Sequence, residues 1–162
     1  MVVISDTTAI SNLYKIGKLD YLQLLFGKVI IPVAVFAELK ELAQIGYDIS
    51  SIINSKWIIV AEVGESKLLT ELLLELDEGE SEAIVLAKEK HADYLIVDEK
   101  KGRLKAEKLG IKTIGIIGIL IQLKREKIIQ KIKPDLDNLR DNAGLWVGEQ
   151  LYNTILESEN EK

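Results

Sequence analysis

The chain has 162 residues, 48% of them hydrophobic and 29% charged, with a formal net charge of −5, no cysteine and a single histidine. That balance describes one globular unit able to bury a core. It excludes disulfides, thiolate zinc sites and cysteine nucleophiles, and it leaves no histidine-rich metal site and no ready Ser-His-Asp triad.

The first apolar run, Val2–Ser5, is β-branched and predicts a strand ending on Asp6. A helix over Thr8–Ile16 follows, carrying Ile10, Leu13 and either Ile16 or Tyr14. Lys28–Ile31 reads as the second strand, and Pro32 opens a helix carrying Val35, Leu39 and Leu42. Trp57–Val60 is the third strand. Leucines at 68, 69, 72, 73 and 76 mark a helix over Leu68–Leu76, and another spans Gly79–Lys90. The strand Tyr94–Val97, a helix over Lys101–Leu109, the strand Lys112–Ile114 and a helix over Gly115–Lys124 complete the alternation. Residues 134–158 contain no strand and predict one or two further helices, broken at Ala143-Gly144. Trp146, Val147, Leu151 and Ile155 form an amphipathic pattern there, suited to capping the core or to meeting a partner.

Short, nearly continuous apolar strands alternating with helices imply an α/β fold around a parallel sheet of about five strands, covered on both faces. Right-handed crossovers place helices on both sides. A single domain over 1–162 is expected, with its core at about 1–130 and a C-terminal helical extension at about 134–158. The longest apolar run, IGIIGILIQL at 114–123, is too short to span a bilayer. No signal-peptide pattern opens the chain, so a cytoplasmic protein without a membrane partner is expected.

Charge is distributed unevenly. Residues Lys100 to Lys133 hold eleven of the 21 basic residues and two acids, whereas 134–162 hold seven acids against Arg140 and Lys162. On charge alone these lysines read as solvated helix faces rather than a nucleic-acid surface.

The informative acids are those standing where an apolar residue belongs. Glu38 interrupts the stripe formed by positions 35, 39 and 42, while Glu41 lies off it. Glu80 interrupts the face shared by Ala83, Ile84 and Ala87; Glu78, Glu82 and Glu89 fall elsewhere. Asp6 and Asp98 close two strands and emerge at the carboxyl edge of a parallel sheet, where open α/β sheets place their ligands. The starts of the flanking helices bring Glu38 and Glu80 to the same edge, so all four carboxylates are expected at one pocket. Each has a plainer role as well: Asp6 as a helix cap, Asp98 as the cap of the helix near Lys101, Glu80 as a complement to a helix dipole. Together, bare anions repel and burial compounds the cost, so either protons or a cation must neutralise them. With no cysteine and no histidine cluster, the oxygen-only donor set points to Mg²⁺ or Mn²⁺ and to metal-assisted hydrolysis.

The segments SDTTAISNL, VFAELK, LDEGESEAIVLAKEKHADYLIVDEKKGR and LGIKTIGIIGIL, in this order over roughly residues 2–123, resemble the PIN-domain nucleases. The LDEGE and DEKKGR elements are similar to a prokaryotic branch related to VapC-type toxins. The resemblance implies a three-layer α/β/α fold and RNA cleavage with Mg²⁺ or Mn²⁺. It also implies an antitoxin protein partner and a homodimer. The family's acids fall on Asp6, Glu38, Glu80 and Asp98, which makes these the expected metal ligands and catalytic residues. Asp77, three residues before Glu80, is an alternative third ligand. A haloacid-dehalogenase-like site needs an acid at position 8, which is Thr8. A receiver needs a central phospho-acceptor Asp, but strand 57–60 is followed by Ala61-Glu62.

Supporting candidates surround these acids. Thr7 is placed to orient water or substrate, and Lys100, Lys101 and Arg103 to contact phosphate. Asn12 is a candidate to hold a carboxylate. Gly115 and Gly118 suit close strand–helix packing better than a phosphate loop, and His91 falls at the opposite edge. With Asp6 assigned to metal, Thr8 becomes the expected cap of the first helix.

Overall fold

The computed structural model describes residues 1–162. Five parallel strands form one sheet: β1 (Val3–Ser5), β2 (Val29–Pro32), β3 (Ile58–Ala61), β4 (Tyr94–Ile96) and β5 (Thr113–Ile114), in the order β3-β2-β1-β4-β5. The register sets Ile4 beside Ile30 on one side and Leu95 on the other. β1 therefore occupies the centre, and the chain leaves the carboxyl ends of β1 and β4 side by side.

Ten helices connect and cover the strands. They are α1 (Thr7–Lys15), α2 (Asp20–Phe26), α3 (Val33–Lys40), α4 (Ser50–Ile53), α5 (Lys67–Leu73), α6 (Glu78–Glu89), α7 (Lys100–Lys108), α8 (Ile116–Arg125), α9 (Lys133–Asn142) and α10 (Glu149–Ser158). A 3-10 turn at Glu41–Ile45 extends α3.

The period-2 alternation of the strands divides the interior into two cores. Val3, Val29, Ile31 and Ile96 point to a cluster of 24 buried residues, closed by Ile10 and Leu13 of α1, Val35 and Leu39 of α3, Ile119 and Leu123 of α8 and Leu136 of α9. Ile4, Leu95 and Val97 point the other way, to a cluster of 12 closed by Leu72 of α5, Ala83, Ile84 and Ala87 of α6 and Ala106 of α7. The result is a three-layer α/β/α arrangement. Each fully buried Leu or Ile contributes about 1.5–3 kcal/mol by leaving water, the main force holding the layers together.

Several expectations need correction. The strands are not all covered on both faces: in β3 at the sheet edge, Ile59 and Val60 are 40% and 42% exposed. α2, the 3-10 turn and α4 were not expected from the pattern. Each spans two turns or fewer, too little for a 3.6-residue period to register. The C-terminal apolar residues do not share one helical face. Trp146 and Val147 precede α10, whose N-cap is Gly148; Val147 and Ile155 are buried, whereas Trp146 is 87% exposed. No helix is long and apolar enough to cross a membrane.

Candidate functional site

Asp6 leaves β1 with its backbone N–H donating to the Ile96 carbonyl at 3.1 Å, which ties the ends of β1 and β4 together. Its side chain is only 3% exposed, and its Oδ1 accepts the Thr8 N–H at 3.1 Å. Asp6, not Thr8, is thus the N-cap of α1. The aspartate has two oxygens, so capping with one does not prevent the other from serving a site.

Glu38 sits in the second turn of α3. Its Oε2 accepts a hydrogen bond from the Thr7 hydroxyl, and its Oε1 accepts the Gly79 N–H at 3.2 Å. It therefore joins the starts of α1 and α6. Glu80 lies in the first turn of α6, 8% exposed, with its backbone N–H bonded to Asp77 Oδ1 at 2.8 Å. Asp98 follows β4, and its Oδ1 accepts the N–H of Ile116, the first residue of α8, at 2.9 Å. The expected alternative, Asp98 as cap of α7, does not hold: Glu99 occupies that position. Glu80 Oε2 and Asp98 Oδ2 are buried without any hydrogen-bond partner.

The electrostatics follow from this crowding. Burial, then the charge of Asp98, push Asp6 up from 3.8 to about 8; N–H bonds from Thr8 and Ala9 oppose the rise, and Asp77 adds to it. Burial, then the bond and charge of Asp77, with Glu99 behind them, push Glu80 up from 4.5 to about 8. Glu38 is raised by burial, against the Thr7 bond, and further by Asp77. Asp98 is raised by burial, against the Ile116 N–H and the Arg103 charge. All four acids are thus short of positive charge.

The four share the carboxyl edge, but they do not form a closed cage. No three Asp, Glu or His side chains stand close enough together to hold one ion directly. Glu38 is held by its own donors on α1 and α6. The donor set still fits a hard divalent cation: every donor is oxygen, and two buried carboxylate oxygens have no other partner.

Thr7 contacts Glu38. Lys100 and Lys101 are exposed in the first turn of α7, and Arg103, half-buried one turn on, is near enough to Asp98 to lower its pKa. Asn12 is buried on α1, and His91 is exposed just before β4 at the far edge. Three acids were missed or left open by sequence reasoning. Asp77 caps α6, and its charge acts on Asp6, Glu38 and Glu80. The D-x-x-E spacing of Asp77 and Glu80 signals such a cap. Glu99 acts on Glu80. Glu82, off the apolar face of α6, is half-buried and accepts the Ala34 N–H at 3.3 Å; only the packing of α6 against α3 reveals this.

A family model described as a PIN domain, DUF3368, matches residues 2–161. The chain belongs to the PIN-domain family. Among solved structures, this PIN-domain protein is similar to a PilT N-terminus domain protein, SSO1118, from the hyperthermophilic archaeon Sulfolobus solfataricus P2. The identity is 24%, with a TM-score of 0.56 over 75% of this chain and 92% of that chain. The likeness shows a shared fold. A search of curated proteins gives no match. PIN domains are nuclease-like modules and generally depend on divalent metal.

Proposed function

We propose that this PIN-domain protein is a Mg²⁺- or Mn²⁺-dependent ribonuclease that hydrolyses RNA phosphodiester bonds. The observation that carries the reading is the pair of buried, unpartnered oxygens, Glu80 Oε2 and Asp98 Oδ2, on an edge whose acids are starved of positive charge. Asp6 and Asp98, coupled through their charges, are the residues to hold the ion directly. Glu38 and Glu80 complete the site through water, consistent with the few direct carboxylates Mg²⁺ takes. A divalent ion bound there supplies Lewis acidity toward a phosphoryl oxygen and an activated water near neutral pH.

The protein's own groups do the rest. The Thr7 hydroxyl and the Gly79 N–H fix the Glu38 carboxylate. Glu80 Oε2, buried with no hydrogen-bond partner, would be satisfied by a water held on the ion. Lys100, Lys101 and Arg103, on the first turns of α7 beside Asp98, are the groups to meet substrate phosphates.

A nuclease assay on a panel of RNAs, with Mn²⁺ or with chelator, tests the reading. Cleavage is expected only with metal and is lost in Asp6→Asn. Wild-type cleavage by a folded Asp6→Asn variant overturns it. The absence of any three acids around one ion favours a second reading, a PIN-like module that binds RNA or protein without cleaving. Calorimetry separates the two: no heat with millimolar Mn²⁺ supports the module. The finer assignment, toxin of a toxin–antitoxin pair acting as a homodimer with an antitoxin partner, rests on the VapC-like LDEGE and DEKKGR elements. Light scattering of the chain alone reads the homodimer.

A further inference from the structure

We propose that Gly79, Gly102 and Gly115 are positioning residues of the acid site, each glycine because a carboxylate occupies the space its Cβ would take. A Cβ built on Gly79 lies 2.6 and 2.8 Å from the two carboxylate oxygens of Glu38. One built on Gly102 lies 2.6 Å from Glu80 Oε2, and one on Gly115 lies 2.8 Å from Asp98 Oδ1. Real Cβ atoms essentially never stand closer than 3.0 Å to a neighbour.

The backbone does not explain these three glycines. Gly17, Gly27, Gly46, Gly110 and Gly144 have positive φ and serve turns, whereas Gly79, Gly102 and Gly115 do not. Two of them stand inside helices, Gly79 in α6 and Gly102 in α7, where glycine is the poorer helix former than alanine. What they share is a carboxylate from another element. Glu38 of α3 meets Gly79 of α6, Glu80 of α6 meets Gly102 of α7, and Asp98 after β4 meets Gly115 at the cap of α8. Bare backbone lets two of the carboxylates come close enough to take an N–H, Gly79 donating to Glu38 and Ile116 to Asp98, while Glu80 Oε2 packs against Gly102 without a donor. The far end of a flexible acid side chain is what a methyl would displace, so the fold survives the substitution and the site does not.

The consequence for metal rests on the nuclease reading above; the steric coupling does not. The test is a double-mutant cycle of Gly102→Ala with Glu80→Asp, which shortens the acid by one methylene. It is read both by Mn²⁺ calorimetry and by urea unfolding without metal. Gly102→Ala is expected to weaken Mn²⁺ binding about 10- to 100-fold, as losing a supporting contact does. The double variant is expected to bind tighter than Gly102→Ala alone. In urea, the two substitutions are expected to be non-additive in the unfolding midpoint. Additivity in the metal-free cycle overturns the inference. Failure of the wild type to bind Mn²⁺ overturns the metal reading alone, and the metal-free cycle then still decides the glycine. Gly79→Ala with Glu38→Asp repeats the test at the pair where both carboxylate oxygens are crowded.

Discussion

Replacing Asp6 by Asn should make the metal-free protein more stable, not less, at slightly alkaline pH. Asp6 is 3% exposed, and burial with the Asp98 charge lifts its pKa from 3.8 to about 8. The unfolded chain releases this proton near pH 4, while the folded chain keeps it until about pH 8. Across that window the folded state binds the extra proton, so stability falls as pH rises, by up to about 1.4 kcal/mol per pH unit. The difference of about 4 between the two pKa values sets a ceiling near 6 kcal/mol on the loss. Water entering around the ionised carboxylate lowers it, and half of that ceiling, about 3 kcal/mol, remains easy to measure. Asn removes the titration and keeps an oxygen to accept the Thr8 N–H, so the cap of α1 survives. The assay is urea unfolding followed by circular dichroism from pH 5 to 8 in chelator. Wild-type stability is expected to fall along this series, and Asp6→Asn to fall less and to exceed the wild type at pH 8. With saturating Mn²⁺ the gap narrows sharply, because binding at 100 times the dissociation constant adds about 2.7 kcal/mol to the wild type only. A wild-type profile that is flat or rising in chelator, with Asp6→Asn parallel to it, refutes the argument that Asp6 is buried without compensating charge.

Other expectations follow from the same geometry. Thr7→Val removes the hydroxyl donor to Glu38, so Mn²⁺ affinity measured by calorimetry should drop about tenfold with little change in melting temperature. Glu161 accepts from Lys124 at 2.8 Å and from the Ile132 and Lys133 N–H groups at 2.9 and 3.0 Å, tying the C-terminus to the start of α9. Despite burial, these donors hold its pKa below 4.5, so its stabilisation is present above that pH and lost as pH falls through the lowered value. Glu161→Gln should cost about 1–3 kcal/mol in urea unfolding at pH 7, with the gap to wild type narrowing in acid. Tyr21→Phe deletes the hydroxyl that donates to buried Asp135 at 2.8 Å and should cost about 1–3 kcal/mol in the same assay.

Much of the site was legible because an acid on an apolar helical face is a local anomaly. Glu38 among Val35, Leu39 and Leu42, and Glu80 among Ala83, Ile84 and Ala87, stand out without any structure, since burial repeats every 3.6 residues. Asp6 and Asp98 stand out as carboxylates closing apolar strands. The partners of these acids were not legible. Asp98 bonds Ile116, 18 residues away; Glu38 bonds Thr7, 31 residues away, and Gly79, 41 residues away.

The sequence by itself determined the five parallel strands, the long helices and the candidacy of four acids, because periodicity and composition are local properties of the chain. Only the tertiary structure decided that Asp6 both caps α1 and feels the charge of Asp98, that Asp77 acts on three of the four acids, and that three glycines make room for carboxylates. Those facts depend on which helix starts meet at the edge where β1 and β4 end. That meeting is fixed by sheet order and layer packing, not by any short stretch of sequence.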